Sequence, residues 1–343
     1  MDIQEKKPYL VDVPVKVNIW SRTRCQRAQF EVIKQARPSI LILQSDGGRN
    51  DKEWEAIREN RKIYEEEVDW ECTIHRLYEK HNNGLYAMGR KTSQFIWSHY
   101  DRCIFLEDDH IPAISFFRFC AELLERYKDD NRVNLICGAN QIEKNEDCTS
   151  DYFFSRAACI SGTATWKRVI DNRDVNYSYA QDSYVMKLLK QRCHNNVTMW
   201  HHIKGYARDS RYGGHVAGGE FFFGLDFMAQ NQLCIIPKFN MMCCIGTGDD
   251  ATHGIDKRVM TKSIAALYDM PTYEVTFPLK HPSYVIPDEF HAQKIYKIFG
   301  NGYPLLSFWR KIVYWMKLIR YGKFKYIYNK ARVKASGKKR TET

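Results

Sequence analysis

The first 140 residues alternate between two hydrophobic periods, and that alternation leaves few folds open. In VPVKVNIW, Val15, Val17 and Ile19 share one face at strand period. Arg22 to Ala36 follows at helical spacing through Cys25, Ala28, Val32 and Gln35, and Arg37-Pro38 ends it. SILILQSDGG is a nearly continuous apolar strand that stops at Asp46-Gly47-Gly48. Strand, helix and strand occupy about 30 residues, the size of one parallel crossover unit. The pattern then repeats: a charged helix over 51–67, the strand CTIHRLYE, an Asn-Asn-Gly turn, a helix over 85–99, the strand CIFLEDD, a helix over 113–127 and the strand VNLICGANQ. This predicts an α/β fold, a mostly parallel sheet with helices on both faces. Beyond residue 140 the chain is less regular. It has an aromatic, small-residue stretch (YFFSRAACISGTATW) in which Tyr152 to Phe154 reads as core, a helix over 181–191, a Gly-rich loop (YGGHVAGGE) and an apolar strand-like run, LCIIPKFNMMCCIG. Irregular segments laid over a regular sheet are where a pocket is usually built.

One strand ends unusually. CIFLEDDHIP runs four apolar residues into Glu107, Asp108 and Asp109. Three adjacent carboxylates repel, and each raises its neighbour's pKa unless positive charge sits among them. In a parallel sheet, ligands bind outside the carboxyl ends of the strands. Strand alternation would put Glu107 and Asp109 on one side and Asp108 on the other. Paired oxygen donors suit magnesium or manganese, hard cations that also bind phosphates. The missing charge is then expected to be a metal carrying a nucleotide diphosphate; the bland alternative is a solvated acidic turn before Pro112.

Charge narrows the partners. Twelve of the 52 Lys and Arg lie after Trp309 against one acid, Glu342, so the tail accounts for the whole net charge of +11 and the first 308 residues balance. In that tail Trp309, Ile312, Val313, Trp315, Met316 and Ile319 interleave with Arg310, Lys311, Lys317 and Arg320. This is the pattern of a helix lying in an anionic membrane interface. Packing of that helix on the body is the structural alternative. A neutral body without a recognition motif argues against nucleic acid. The eleven cysteines include no CxxC pair, which fits a reducing compartment rather than a zinc module. No signal-peptide-like run opens the sequence and no uncharged stretch nears ~20 residues. The expected location is the cytoplasm, peripheral on the inner face of the membrane.

FLEDDHIPAISFFRFCAELLERYKDD resembles the acidic metal-binding segment of GT-A-fold glycosyltransferases, in particular bacterial enzymes of surface-polysaccharide synthesis such as those of lipopolysaccharide. More distantly it is similar to the eukaryotic enzyme that adds the first branching N-acetylglucosamine to N-glycans. SRTRCQRAQF, QSDGGR, NNGLYAMGRKTSQ, ICGANQ, SGTATWKR and IIPKFNMMCCIGTGDDATHG follow in the family's order, over about residues 14 to 255. The resemblance implies a GT-A (Rossmann-like) domain over 1–300, with a nucleotide-binding half (14–140), an acceptor half (141–260) and a basic helical tail (301–343). It implies that Asp109 is the direct ligand of Mn2+ or Mg2+ and that His253 completes the metal site. Glu107 and Asp108 would face the ribose and nucleotide, Asp46 would accept from the base with Arg22 near it, and Lys91 or Arg90 would reach the phosphates.

The resemblance also implies a nucleotide diphosphate-sugar donor, a glycan or lipid-linked glycan acceptor, and inversion. Inversion needs a carboxylate to take the acceptor proton. The family's Asp falls 17 residues before the proline of the IIP strand, where this chain has Glu220. Its extra methylene displaces the oxygen by roughly an ångström, which matters for in-line attack. Asp226 and Asp182 are the rivals, Asp182 lying in an ordinary helical pattern. The family's Gly-Trp-Ala-Thr-Trp is Gly162-Thr163-Ala164-Thr165-Trp166 here, so an aromatic that could stack on a sugar is gone and acceptor identity is not carried over. A sugar nucleotidyltransferase is the alternative enzyme, disfavoured because IWSRTRCQ lacks the glycines of a phosphate loop. A non-catalytic membrane scaffold with a decayed transferase fold is the other alternative.

Overall fold

The computed structural model describes residues 6–194, 196–210, 218–247, 256–324 and 328. The elements run Val11–Asn18 (β1), Thr23–Ala36 (α1), Pro38–Ser45 (β2), Asp51–Glu66 (α2), Thr73–Tyr78 (β3), Leu85–His99 (α3), Arg102–Leu106 (β4), His110–Pro112 (β5), Ser115–Arg126 (α4) and Val133–Cys137 (β6). There follow Tyr152–Ser155 (β7), Thr163–Trp166 (β8), Lys167–Asp171 (α5), Ser183–Arg192 (α6), Val197–Ser210 (α7), Gly219–Ala229 (α8), Leu233–Pro237 (β9), Met242–Cys244 (β10), Lys262–Ala265 (α9), Glu289–Phe299 (α10) and Pro304–Arg320 (α11).

Eight strands form one sheet in the order β3-β2-β1-β4-β8-β6-β9-β7. Six run one way; β8 and β7 run against their neighbours. This is the mostly parallel, Rossmann-like α/β sheet expected, and both its faces are covered. Leu41 and Leu43 of β2 join the large core with Phe30 of α1, Tyr64 of α2 and Phe116 of α4. Ile42, between them, points to the opposite face and packs with Ile96 and Trp97 of α3. Because both faces are covered, β1 is buried at seven of its eight positions instead of alternating. Tyr152, Phe153 and Phe154 are core, as their pattern implies.

Three expectations change. The buried face of α1 is Cys25, Gln26, Gln29, Phe30, Ile33 and Ala36, rotated from the apolar reading because two glutamines are buried for their hydrogen bonds. The run LCIIPKFNMMCCIG is two strands, broken where Asn140 donates to the carbonyls of Pro237 and Lys238. The end of the Gly-rich loop is helical: GEFFFGLDFMA forms α8 between two cores. Phe221 and Phe222 pack with α6 and α7, whereas Phe223 and Phe227 pack under the sheet. A helix with two apolar sides has no clear period, so its sequence does not declare it.

Candidate functional site

β1 leads to β2 on one side, while β4 lies on the other, so the order reverses at β1 and leaves a crevice at the carboxyl ends of β1 and β4. The three carboxylates lie there. β4 ends at Leu106, so the expected alternation does not extend through them, and each acid takes its own partner. Glu107 accepts from Asn18 Nδ2 and lies 3.8 Å from Lys16 Nζ. Asp108 is gripped by both forks of Arg22, Nε at 2.7 Å and Nη2 at 2.5 Å. Arg22 Nη1 reaches Asp109 Oδ2 at 3.2 Å. The positive charge among the acids is therefore Arg22, with Lys16 behind it, in the role expected of a metal. Arg22 faces Asp108, not a base.

Burial pushes the Asp108 carboxyl up, and Arg22 pulls it down. Burial also works against the Arg22 charge, and the Asp108 hydrogen bond and charge overcome it. We read the pair as ionised, because a guanidinium keeps its proton and a neutral acid would leave it uncompensated.

Asp109 is held differently. The two-stranded ribbon of β5 and β10 pairs His110 with Cys244, so the acid sits at a ribbon end rather than on the main sheet. Its carbonyl accepts from Ile245 N at 3.0 Å. Residue 246 crosses directly over the carboxylate: a Cβ there would lie 1.7 Å from Oδ2 and 2.8 Å from Arg22 Nη1, so any side chain would displace the Asp109 carboxylate. Cys244 Sγ donates to Oδ2 at 3.6 Å. Oδ1 accepts no hydrogen bond among the described residues and lies 3.7 Å from His110 Nε2.

Asp109, His110 and Cys244 bring ligand-type atoms within 4.8 Å of one another. His110 is nonetheless a poor ligand. Its Nδ1 accepts from the backbone N–H groups of Glu107 and Gly162, both at 3.1 Å. With that lone pair engaged, the neutral ring carries its proton on Nε2, facing Asp109. Burial lowers the imidazole pKa, favouring this neutral form over the pull of the nearby acids. Burial raises the Cys244 thiol to about 12, with the Asp109 charge adding to it, so it stays protonated beside the carboxylate. Among the described residues of this cluster, the donor left for a hard cation is Asp109 Oδ1, which fits a magnesium or manganese ion held by one carboxylate and substrate phosphates.

The other expected residues separate. Asp46, just past the end of β2, accepts from the backbone of Gly47, Asn83 and Gly84 at 2.8–3.0 Å, so its oxygens clamp the Asn-Gly turn and are not open to a base. Lys91 is exposed and donates to Glu79; Arg90 is exposed. Asp182 stands just before α6 and caps it, accepting from Tyr184 and Val185 N. Asp226 is 7% exposed, and burial raises its carboxyl to about 7 while the Arg173 charge pulls the other way. Glu220 is exposed in the first turn of α8. His253 lies outside the described residues.

Residues missed in the sequence form the support. Gln29, fully buried, donates to the carbonyls of Glu107 and His110 at 2.6 and 2.7 Å. Lys16 and Asn18 were visible as the polar alternates of an otherwise apolar strand. His110 and Cys244 carried no spacing signal.

No family model matches the chain, and no curated protein does. Among solved structures it is similar to a UDP-glucose pyrophosphorylase complexed with UDP-glucose, at 8% identity over 67% of this chain and 91% of that one, TM-score 0.36. It is similar to mouse xyloside xylosyltransferase 1 at 13% over 65% and 84%, TM-score 0.34. A cytidylyltransferase from Leptospira borgpetersenii matches at 11% over 48% and 63%, TM-score 0.26. Likeness this slight carries no argument.

Proposed function

We propose that the chain is a hexosyltransferase of surface-polysaccharide synthesis that moves a sugar, with inversion, from a nucleotide diphosphate-sugar to a glycan or lipid-linked glycan at the inner face of a membrane. The observation that carries this is Asp109 Oδ1, left without a hydrogen bond among the described residues beside a fixed Arg22–Asp108 pair at the β1/β4 crevice. Asp109 would hold Mn2+ or Mg2+, whose chemistry when bound is to neutralise charge on the departing diphosphate. Arg22 keeps Asp108 and Asp109 from repelling and holds Asp109 on one side. His110 and Gly246 confine its carboxylate on the others. Asp46 would shape the nucleotide wall through the Asn83-Gly84 turn. Glu220 would accept the proton of the attacking acceptor hydroxyl, since Asp182 is a cap and Asp226 is buried. Residues 1–300 would form the catalytic domain, donor side first, with 301–343 as its tail.

Isothermal titration of UDP, GDP and their sugars, with and without Mn2+, tests the reading. Binding of one base only, dependent on Mn2+ and lost in Asp109→Asn, is the expected result. Silence from every nucleotide would favour the scaffold, and turnover of a nucleoside triphosphate with a sugar phosphate would favour the nucleotidyltransferase.

A further inference from the structure

α11 turns its more apolar side away from the protein. Leu318 is 2% exposed. Ser307 Oγ, Arg310 Nη1 and Lys317 Nζ donate to the carbonyls of Gly300, Ile298 and Met260 at 2.8, 2.6 and 2.5 Å. Positions 307, 310, 317 and 318 therefore define the inward side. With 3.6 residues per turn, the stripe at 305, 309, 312, 316 and 319 lies opposite. Leu305, Trp309, Met316 and Ile319 on that stripe are 84, 61, 62 and 58% exposed, and Phe308 beside it is 65% exposed. A surface helix on a globular domain ordinarily buries such a stripe; here polar side chains fasten the opposite side to backbone carbonyls.

Charge decides the occupant. Lys311 and Arg320 are exposed on opposite flanks of that face, and between residues 304 and 341 there are twelve Lys and Arg and no acid. A second copy pressed against this face would bring like charges together. An anionic lipid surface offers negative charge and an apolar layer at once, and tryptophan suits the boundary between them. No described helix is long and apolar enough to cross a membrane. We propose that α11 is the membrane-docking surface of this protein, lying flat with Leu305, Phe308, Trp309, Met316 and Ile319 in the headgroup boundary of an anionic bilayer.

The test is flotation of the full chain with phosphatidylcholine vesicles and with vesicles containing one quarter phosphatidylglycerol, alongside sedimentation velocity without lipid. The wild type should float with the anionic vesicles only. Lys311→Ala with Arg320→Ala should bind roughly 25-fold more weakly, about fivefold for each basic residue near the surface. The triple variant Leu305→Asp, Trp309→Asp and Met316→Asp should not float, yet should keep the wild-type circular dichroism because its three sites face solvent. Equal flotation of wild type and triple variant overturns the proposal, as does equal binding to neutral vesicles. A dimer that the triple variant dissociates, without lipid binding by either, would assign the face to a second copy. Flotation reads lipid without donor and calorimetry reads donor without lipid, so failure here is separable from failure of the transferase reading.

Discussion

Asp46 and Asp109 lie just beyond two parallel strands of the same sheet, and they are put to opposite uses. At the end of β2, four N–H contacts at 2.8–3.0 Å use both oxygens of Asp46 to fix a turn. Past the end of β4, Asp109 gives one oxygen to Arg22 and Cys244 and leaves the other without a hydrogen bond among the described residues. The difference lies in the backbone that surrounds each acid. At Asp46 the amide of Gly47 and, from the loop that leaves β3, the amides of Asn83 and Gly84 close on the carboxylate. After β4 a short ribbon pairing holds the acid by its own backbone and leaves the carboxylate end to a glycine. An acid at a strand end thus keeps an oxygen free for a ligand only when the surrounding backbone does not consume both.

The comparison can be attacked from both sides. The largest effect should come from Glu220→Gln, which would slow transfer about 10²–10⁴-fold while leaving donor affinity within a factor of about two; undiminished transfer in steady-state assays would show that Glu220 is not the base. Next, Asp226→Asn separates a buried acid from a working one. A carboxyl held near 7 in the folded protein and near 3.8 unfolded binds its proton more tightly when folded, so its contribution is present at low pH and is lost as pH rises from about 4 to about 7. The variant should therefore gain on the wild type across that window by on the order of 4 kcal/mol in urea titrations. His291, held near 4 by burial, slopes the other way between about 4 and 6.5, so only the difference between the two proteins reads Asp226. Arg22→Ala strands Asp108 in the interior and should cost about 3–5 kcal/mol, most of it recovered when Arg22→Met is combined with Asp108→Leu. Asp46→Asn sets an amide against the Gly84 N–H and should cost about 1–3 kcal/mol, with faster hydrogen exchange confined to residues 82–84. A loss of nucleotide affinity beyond that destabilisation would return Asp46 to the base.

The sheet was legible because apolar periodicity is a property of each segment alone: α3 spans the expected 85–99, and the acidic strand ends where its charges begin. The partners of the acids were not. Arg22 and Asp108 are 86 residues apart and meet only because β1 and β4 are neighbours. His110 could be read as a ligand until two backbone donors fixed its tautomer. α8 escaped because Phe221 and Phe222 face one core and Phe223 the other, leaving no polar stripe to mark a helix.

The Arg22 bridge has a consequence for the resting protein. With a guanidinium already lodged between Asp108 and Asp109, much of their mutual repulsion is relieved before any ion arrives. Chelation should then silence the protein without melting it, and reloading should need no refolding.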